Sequence, residues 1–249
     1  MARITGSART KRGKNVAIVL AAGKGTRMNS RESKIYMSCA GKPVLYYSLH
    51  AFDKCPFIDE IVVVTGKDEE LRCYDEVIDK YRIGKVSQVV PGGKERYDSV
   101  FEGLKAIGSD TAFVFVHDGA RPCVDPEIIS RAYAEASAYD ACIVGMPVKD
   151  TIRRVPNGSS KVSNILDRNE IWQIQTPQVF AYDLIIEAYT RYIGHDYSGA
   201  TDDASIVEKM TGHGIYITEG SYNNIKITTI GDLTVAENII KARRTRGRK

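Results

Sequence analysis

Apolar positions along this 249-residue chain alternate between two spacings. Residues 16–20 (VAIVL) and 111–116 (TAFVFV) are almost continuous apolar runs, the pattern of a strand covered on both faces of a sheet. Glu60–Thr65, residues 85–90 and Ala141–Pro147 read the same way. Between these runs apolar residues recur every three or four positions over 43–55, 68–81, 95–107 and 126–139, which predicts helices, with Pro43 suited to a first turn. The alternation predicts an α/β fold with a doubly wound, mostly parallel sheet, in one domain spanning residues 16–240.

The pattern breaks at residues 149–174, which are polar and charged and turn at Pro156-Asn157-Gly158 between two strand-like pieces. A two-stranded arm is marginal on its own in water, so the expectation is a protruding β-arm that packs against a second subunit of a homodimer. Gln175-Thr176-Pro177-Gln178 then returns the chain to the body. Helices are expected over 182–193 and 201–211, the latter capped by Thr201. Short strands over 215–218 and 224–228 and a helix over 232–243 complete the chain.

Composition narrows the class. A single core suits this length, and no apolar run approaches the ~18 residues of a membrane span, so a cytoplasmic protein with no membrane partner is expected. Five cysteines without CxxC spacing fit neither a disulfide framework nor a zinc site, and are expected to be reduced and structural. The net charge of +4 is uneven: without the five cations of residues 1–15 and the six of residues 241–249, 24 basic groups face 31 acidic ones. Residues 1–15 and 244–249 read as flexible basic tails. No aromatic interleaving or nucleic-acid motif accompanies them, so no nucleic-acid partner is expected.

The candidate chemistry begins where the first strand ends, in LAAGKGTRM. Gly23 and Gly25 let successive backbone N–H groups converge on a polyphosphate, and Lys24, Arg27, Arg31 and Lys34 surround that turn with positive charge. A dinucleotide fingerprint would need a third glycine that this turn lacks, and no window supplies a Walker loop. The remaining pattern is similar to the nucleotide loop of the pyrophosphorylase-like nucleotidyltransferases; the alternative is a simple strand-to-helix turn. In an open α/β sheet ligands bind beyond the carboxyl ends of strands, so His117-Asp118-Gly119-Ala120-Arg121-Pro122 shares a crevice with that loop. Asp118 either helps hold Mg²⁺ there or is a turn-forming Asp before glycine.

Seven motifs in order, LAAGKGTRM, PGGKERYDSV, VHDGARP, PVKDTI, DRNEIWQIQTPQVF, TDDASIVE and NIKIT, make residues 16–240 resemble the 2-C-methyl-D-erythritol 4-phosphate cytidylyltransferase family. The resemblance implies cytidylyl transfer from CTP to a polyol phosphate, with Mg²⁺. It implies that Ala21, Ala22, Gly23, Gly25 and Thr26 hold CTP phosphates, that Arg27, Lys34 and Lys226 are catalytic, and that Gly92, Gly93 and Ser99 lie near the cytosine and ribose. Asp118, Arg121, Thr151, Arg168 and Lys226 would bind the acceptor, some across the subunit boundary, with Asp118 also on the metal. Ser33-Lys34-Ile35 stands where the family usually has Pro-Lys-Gln, and Ile230-Gly231-Asp232 where it has Pro-Glu-Asp. The alternatives are a ribitol 5-phosphate cytidylyltransferase and a non-catalytic nucleotide-binding regulator.

Overall fold

In strand β1 (Lys14–Ala21), Ala17, Val19 and Ala21 are buried on one face and Val16 and Ile18 on the other, so the strand can only lie inside a covered sheet. The structure, a computed structural model, describes residues 13–23, 33–163, 165–194 and 199–246. A short hairpin of β2 (Ser38–Cys39) and β3 (Lys42–Pro43) leads into helix α1 (Val44–Asp53). There follow β4 (Glu60–Thr65), α2 (Glu70–Cys73), β5 (Val86–Pro91), α3 (Arg96–Ala106), β6 (Thr111–Asp118), α4 (Pro126–Tyr139) and β7 (Ala141–Pro147). After the arm come β8 (Trp172–Ala181), α5 (Tyr182–Gly194), α6 (Asp203–Thr211), β9 (Tyr216–Glu219) and α7 (Ile230–Arg246).

Seven strands form the main sheet in the order β5-β4-β1-β6-β8-β7-β9. All run parallel except β8, which pairs antiparallel with both β6 and β7. One apolar layer packs α1 and α4 against the sheet, and the opposite layer packs α3, α5 and α6, as a doubly wound sheet requires. A third cluster, with Cys39, Cys123, Ile227 and Ile240, seats α7. From β1 the chain winds outward through β4 to β5 and then crosses to β6 on the other flank of β1. The crevice beyond the ends of β1 and β6 is therefore the topological switch point.

Several local features differ from the sequence expectation. Residues 70–79 are one α-turn followed by a π-helical stretch from Tyr74 to Asp79, whose widened turn brings Cys73, Val77 and Ile78 to the core. Asp202, not Thr201, caps α6: its carboxylate accepts from Ser205 N at 3.1 Å. Residues 224–228 form no ladder; Ile227 N instead donates to Ala120 O at 2.8 Å, tying the segment to the loop after β6. The arm is shorter than 149–174, because Trp172–Ala181 is a sheet strand despite Pro177. The register against β7 jumps from Ile143–Gln178 to Val144–Gln175, so Thr176 and Pro177 occupy a bulge where no ladder N–H is needed. The folded body also extends into the expected tails. Lys14 and Asn15 belong to β1, and Arg244 in α7 donates to Ala40 O at 3.1 Å and Tyr47 Oη at 2.9 Å.

All five cysteines are buried and unpaired, and burial pushes the Cys73, Cys123 and Cys142 thiols up to about 12, as inert structural thiols require.

Candidate active site

Four parallel strand ends build the floor of the crevice. Leu20 in β1 is in register with Asp118 in β6, Ala21 with Thr65 in β4, and Thr65 with Pro91 in β5. The turn after β5 leans on the end of β1: a Cβ on Gly92 would lie 2.7 Å from both Ala22 Cβ and Ser99 Oγ, so only glycine allows that approach. Gly93 is closed in the same way against Asp98, whose carboxylate accepts Glu95 N at 2.9 Å in a capping box that starts α3. Ala21, Ala22, Gly92, Gly93 and Ser99 are thus brought to one end of the sheet. Ser99 is buried, with its hydroxyl donating to Glu95 O at 3.1 Å.

The loop after β6 forms the other wall. Gly119 N donates to Leu20 O at 2.8 Å, and Ser48 of α1 donates between the Gly119 and Arg121 carbonyls at 3.0 and 3.2 Å. Arg121 in turn donates to Asn224 O at 2.8 Å, which fixes the segment carrying Lys226. Asp118 gathers the charges: its Oδ2 lies 2.8 Å from Lys226 Nζ and 3.6 Å from Arg121 Nε, while its Oδ1 lies 3.4 Å from Arg96 Nε. Burial alone would push this carboxyl up; Arg96, Lys226 and Arg121 overcome that and hold it well below the usual carboxylate range. Arg121 and Lys226 also line a cleft of about 320 Å³ with Gln173, Gln175, Tyr222 and Asn224.

Next to Asp118, His117 is fully buried, and burial lowers it to about 3, so the imidazole is neutral. Thr176 Oγ1 accepts Asp118 N at 3.0 Å and lies 3.1 Å from His117 Nδ1, so the pair holds the strand end in place.

Lys34 sits in a turn over 33–37, with Tyr36 N donating to Ser33 O at 3.0 Å. Ile35 beside it is buried in the core, and its carbonyl accepts Leu45 N at 2.9 Å, so an apolar plug anchors the backbone that presents Lys34. Gly25, Thr26 and Arg27 lie outside the described residues, whereas Gly23 is exposed at the end of β1. Thr151 and Arg168 are exposed on the arm; Arg168 donates to Lys149 O at 3.3 Å, and no hydrogen bond or ion pair among the described residues joins either to Asp118, Arg121 or Lys226. At the second sequence departure, Asp232 accepts Thr228 N, Thr228 Oγ1 and Thr229 N, each at 2.8 Å, and organises the start of α7 without a proline.

Both carboxylate oxygens of Asp118 face cations, so a metal ion held there would take the place of Lys226, Arg121 or Arg96. The described residues contain no group of three or more His, Cys, Asp or Glu placed to bind a metal ion. Two residues of the cluster escaped the sequence reading although their motifs were in view. Arg96 places both terminal nitrogens 2.8 Å from the two oxygens of Asp203, whose side chain is fully buried. The only signal in the sequence was a charged residue opening each of two helices.

Residues 15–242 match the family model for 2-C-methyl-D-erythritol 4-phosphate cytidylyltransferase. The enzyme of that name from Caldanaerobacter subterraneus subsp. tengcongensis is 46% identical over 221 residues, covering 89% of this chain and 96% of the relative. That from Alkaliphilus oremlandii is 45% identical over 231 residues, covering 93% and 97%. Among solved structures, the 4-diphosphocytidyl-2C-methyl-D-erythritol synthase of Anaerococcus prevotii superposes with a TM-score of 0.80 at 32% identity, over 92% of this chain and 96% of that one. The Thermus thermophilus cytidylyltransferase gives 0.74 at 27% identity, over 91% and 99%. With the glycine turn, the Asp118 cluster and the switch-point crevice in one continuous match, this chain belongs to the 2-C-methyl-D-erythritol 4-phosphate cytidylyltransferase family.

Proposed function

We propose that the protein transfers the cytidylyl group of CTP to 2-C-methyl-D-erythritol 4-phosphate, giving 4-diphosphocytidyl-2-C-methyl-D-erythritol and pyrophosphate for isoprenoid synthesis. The observation that carries this is the meeting of Lys226, Arg121 and Asp118 at the end of β6, one register position from the β1 turn. Ala21 to Thr26 cradle the triphosphate, and Gly92, Gly93 and Ser99 form the nucleoside wall. A phosphate oxygen of the acceptor attacks the α-phosphorus in line, with Arg27 and Lys34 offsetting the charge that develops and Lys226 and Arg121 aligning the attacking phosphate. Its proton needs no base, because a phosphate monoester is already largely dianionic near neutrality. Asp118 acts as the counter-charge that keeps Lys226 and Arg121 pointed into the cleft. Mg²⁺, when bound with the nucleotide, would offset charge on its phosphates.

We place the active protein in the cytoplasm as a homodimer. No helix among the described residues is long and apolar enough to cross a membrane. The arm supports the dimer: among its described residues it is pinned by few bonds, including Ser163 N to Arg154 O at 2.8 Å and Leu166 N to Ile152 O at 3.1 Å. It also leaves Val155, Val162 and Ile165 about half exposed or more. In that arrangement Thr151 and Arg168 complete the acceptor site of the opposite subunit. The test is a competition assay with CTP, Mg²⁺ and equal amounts of methylerythritol and ribitol phosphates. Predominant CDP-methylerythritol is expected; predominant CDP-ribitol overturns the acceptor, and absence of pyrophosphate release with either overturns the chemistry.

A further inference from the structure

The two oxygens of Asp118 serve different partners. Oδ2 is shared by Lys226 and Arg121, which line the cleft, whereas the ion-pair partner of Oδ1 among the described residues is Arg96. Arg96, with its side chain 28% exposed, is held from both ends. The capping box of Glu95 and Asp98 fixes its backbone at the first position of α3, and Asp203 grips both terminal nitrogens. Asp203 cannot swing away, because its side chain is fully buried, Tyr189 Oη donates to its Oδ1 at 2.5 Å, and its own N–H is bound by Gln178 Oε1 at 3.0 Å. The set of Arg96, Arg121 and Lys226 against Asp118 and Asp203 leaves one excess positive charge facing the cleft, suited to an anion.

An arriving phosphate draws Lys226 and Arg121 toward itself. A carboxylate as enclosed as Asp118, 7% exposed, would then be buried without a counter-ion unless one cation stays behind. We propose that Arg96, clamped by Asp203, is that cation: a positioning residue that keeps Asp118 oriented while Lys226 and Arg121 engage the acceptor phosphate. The inference rests on the acceptor reading given above for Lys226. It assigns Arg96 to the acceptor half of the reaction although it opens the helix that follows the nucleoside wall.

The experiment is steady-state kinetics on the full chain for R96Q, R96K, K226Q and the R96Q/K226Q double variant, varying CTP and acceptor separately. For R96Q we expect kcat/KM for the acceptor to fall about 30-fold or more while KM for CTP stays within about threefold. R96K keeps the charge but cannot span two carboxylates, and is expected between R96Q and the parent. Because both groups would act through Asp118, adding R96Q to K226Q should cost no more than about another threefold. Since R96Q strands the buried Asp203 charge, R96Q/D203N is the charge-balanced companion; it should melt near the parent and show the same kinetic split. Parallel losses for CTP and acceptor, or a double variant showing the product of the single losses, would overturn the role of Arg96. An unimpaired R96Q beside an impaired K226Q would do the same. An unimpaired K226Q would overturn the acceptor reading itself, and this inference with it.

Discussion

Replacing Asp118 by Asn tests whether a charge, rather than a shape, organises the crevice. Asn has nearly the same volume, so no cavity opens, and Asp118 N still donates to Thr176 Oγ1 at 3.0 Å. What is lost is the negative charge facing three cations. They are not equally stranded: Arg96 retains Asp203, the Lys226 side chain is 38% exposed and can turn to water, but Arg121 is only 11% exposed and is left uncompensated. One stranded buried cation places the loss at the lower end of the range for broken buried pairs, about 3 kcal/mol. For a chain of this size that corresponds to a fall in Tm of about 6–12 °C. The assay is calorimetry of parent and D118N across pH. Because the Asp118 carboxyl is held below its ordinary value in the folded protein, its stabilisation is complete above the unfolded value of about 4 and is lost only as pH falls through the lower folded value. The gap in Tm should therefore be constant from about pH 8 to about pH 5 and begin to close only below about pH 4. A gap under about 2 °C, or one that closes between about pH 7 and about pH 5, would refute the charge cluster as described.

Arg27→Ala and Lys34→Ala should each lower kcat by about 100-fold or more with a smaller effect on CTP binding, since both act on charge that develops during transfer; near-normal kcat in both would remove them from the mechanism. Arg168→Ala and Arg27→Ala proteins, each nearly inactive alone, should regain activity on mixing, because mixed dimers contain one intact composite site. A monomer by light scattering at assay concentration would exclude that arrangement.

The strands that position the site were legible because their apolar runs are continuous: β1 and β6 are buried on both faces and admit few readings other than central strands. Asp118 was singled out by its place at a strand end and Lys226 by the family resemblance alone; their 2.8 Å ion pair joins residues far apart in sequence. Strand β8 was hidden by Pro177 and the polar Gln175, Thr176 and Gln178, which look like a loop until the bulge against β7 shows that Thr176 and Pro177 lie off the ladder. Residues 224–228 misled in the opposite direction: NIKIT alternates like a strand, but its apolar Ile227 is a plug beneath α7 and its backbone serves the Asp118 loop. The Arg96–Asp203 pair joins residues 107 positions apart and leaves no periodicity for a sequence reading to find.

The place of β8 in the sheet also sets an order on synthesis. Because β8 lies between β6 and β7, a nascent chain that has emerged only through the arm holds β7 with no neighbour on the β6 side, and β6 with one bare edge. That edge, Phe113 to Val116, is among the most apolar backbone in the protein and is answered only by residues 178–181. An unpaired apolar edge is a template for pairing with other chains, so until residues 178–181 have been made that edge of β6 is open to such pairing.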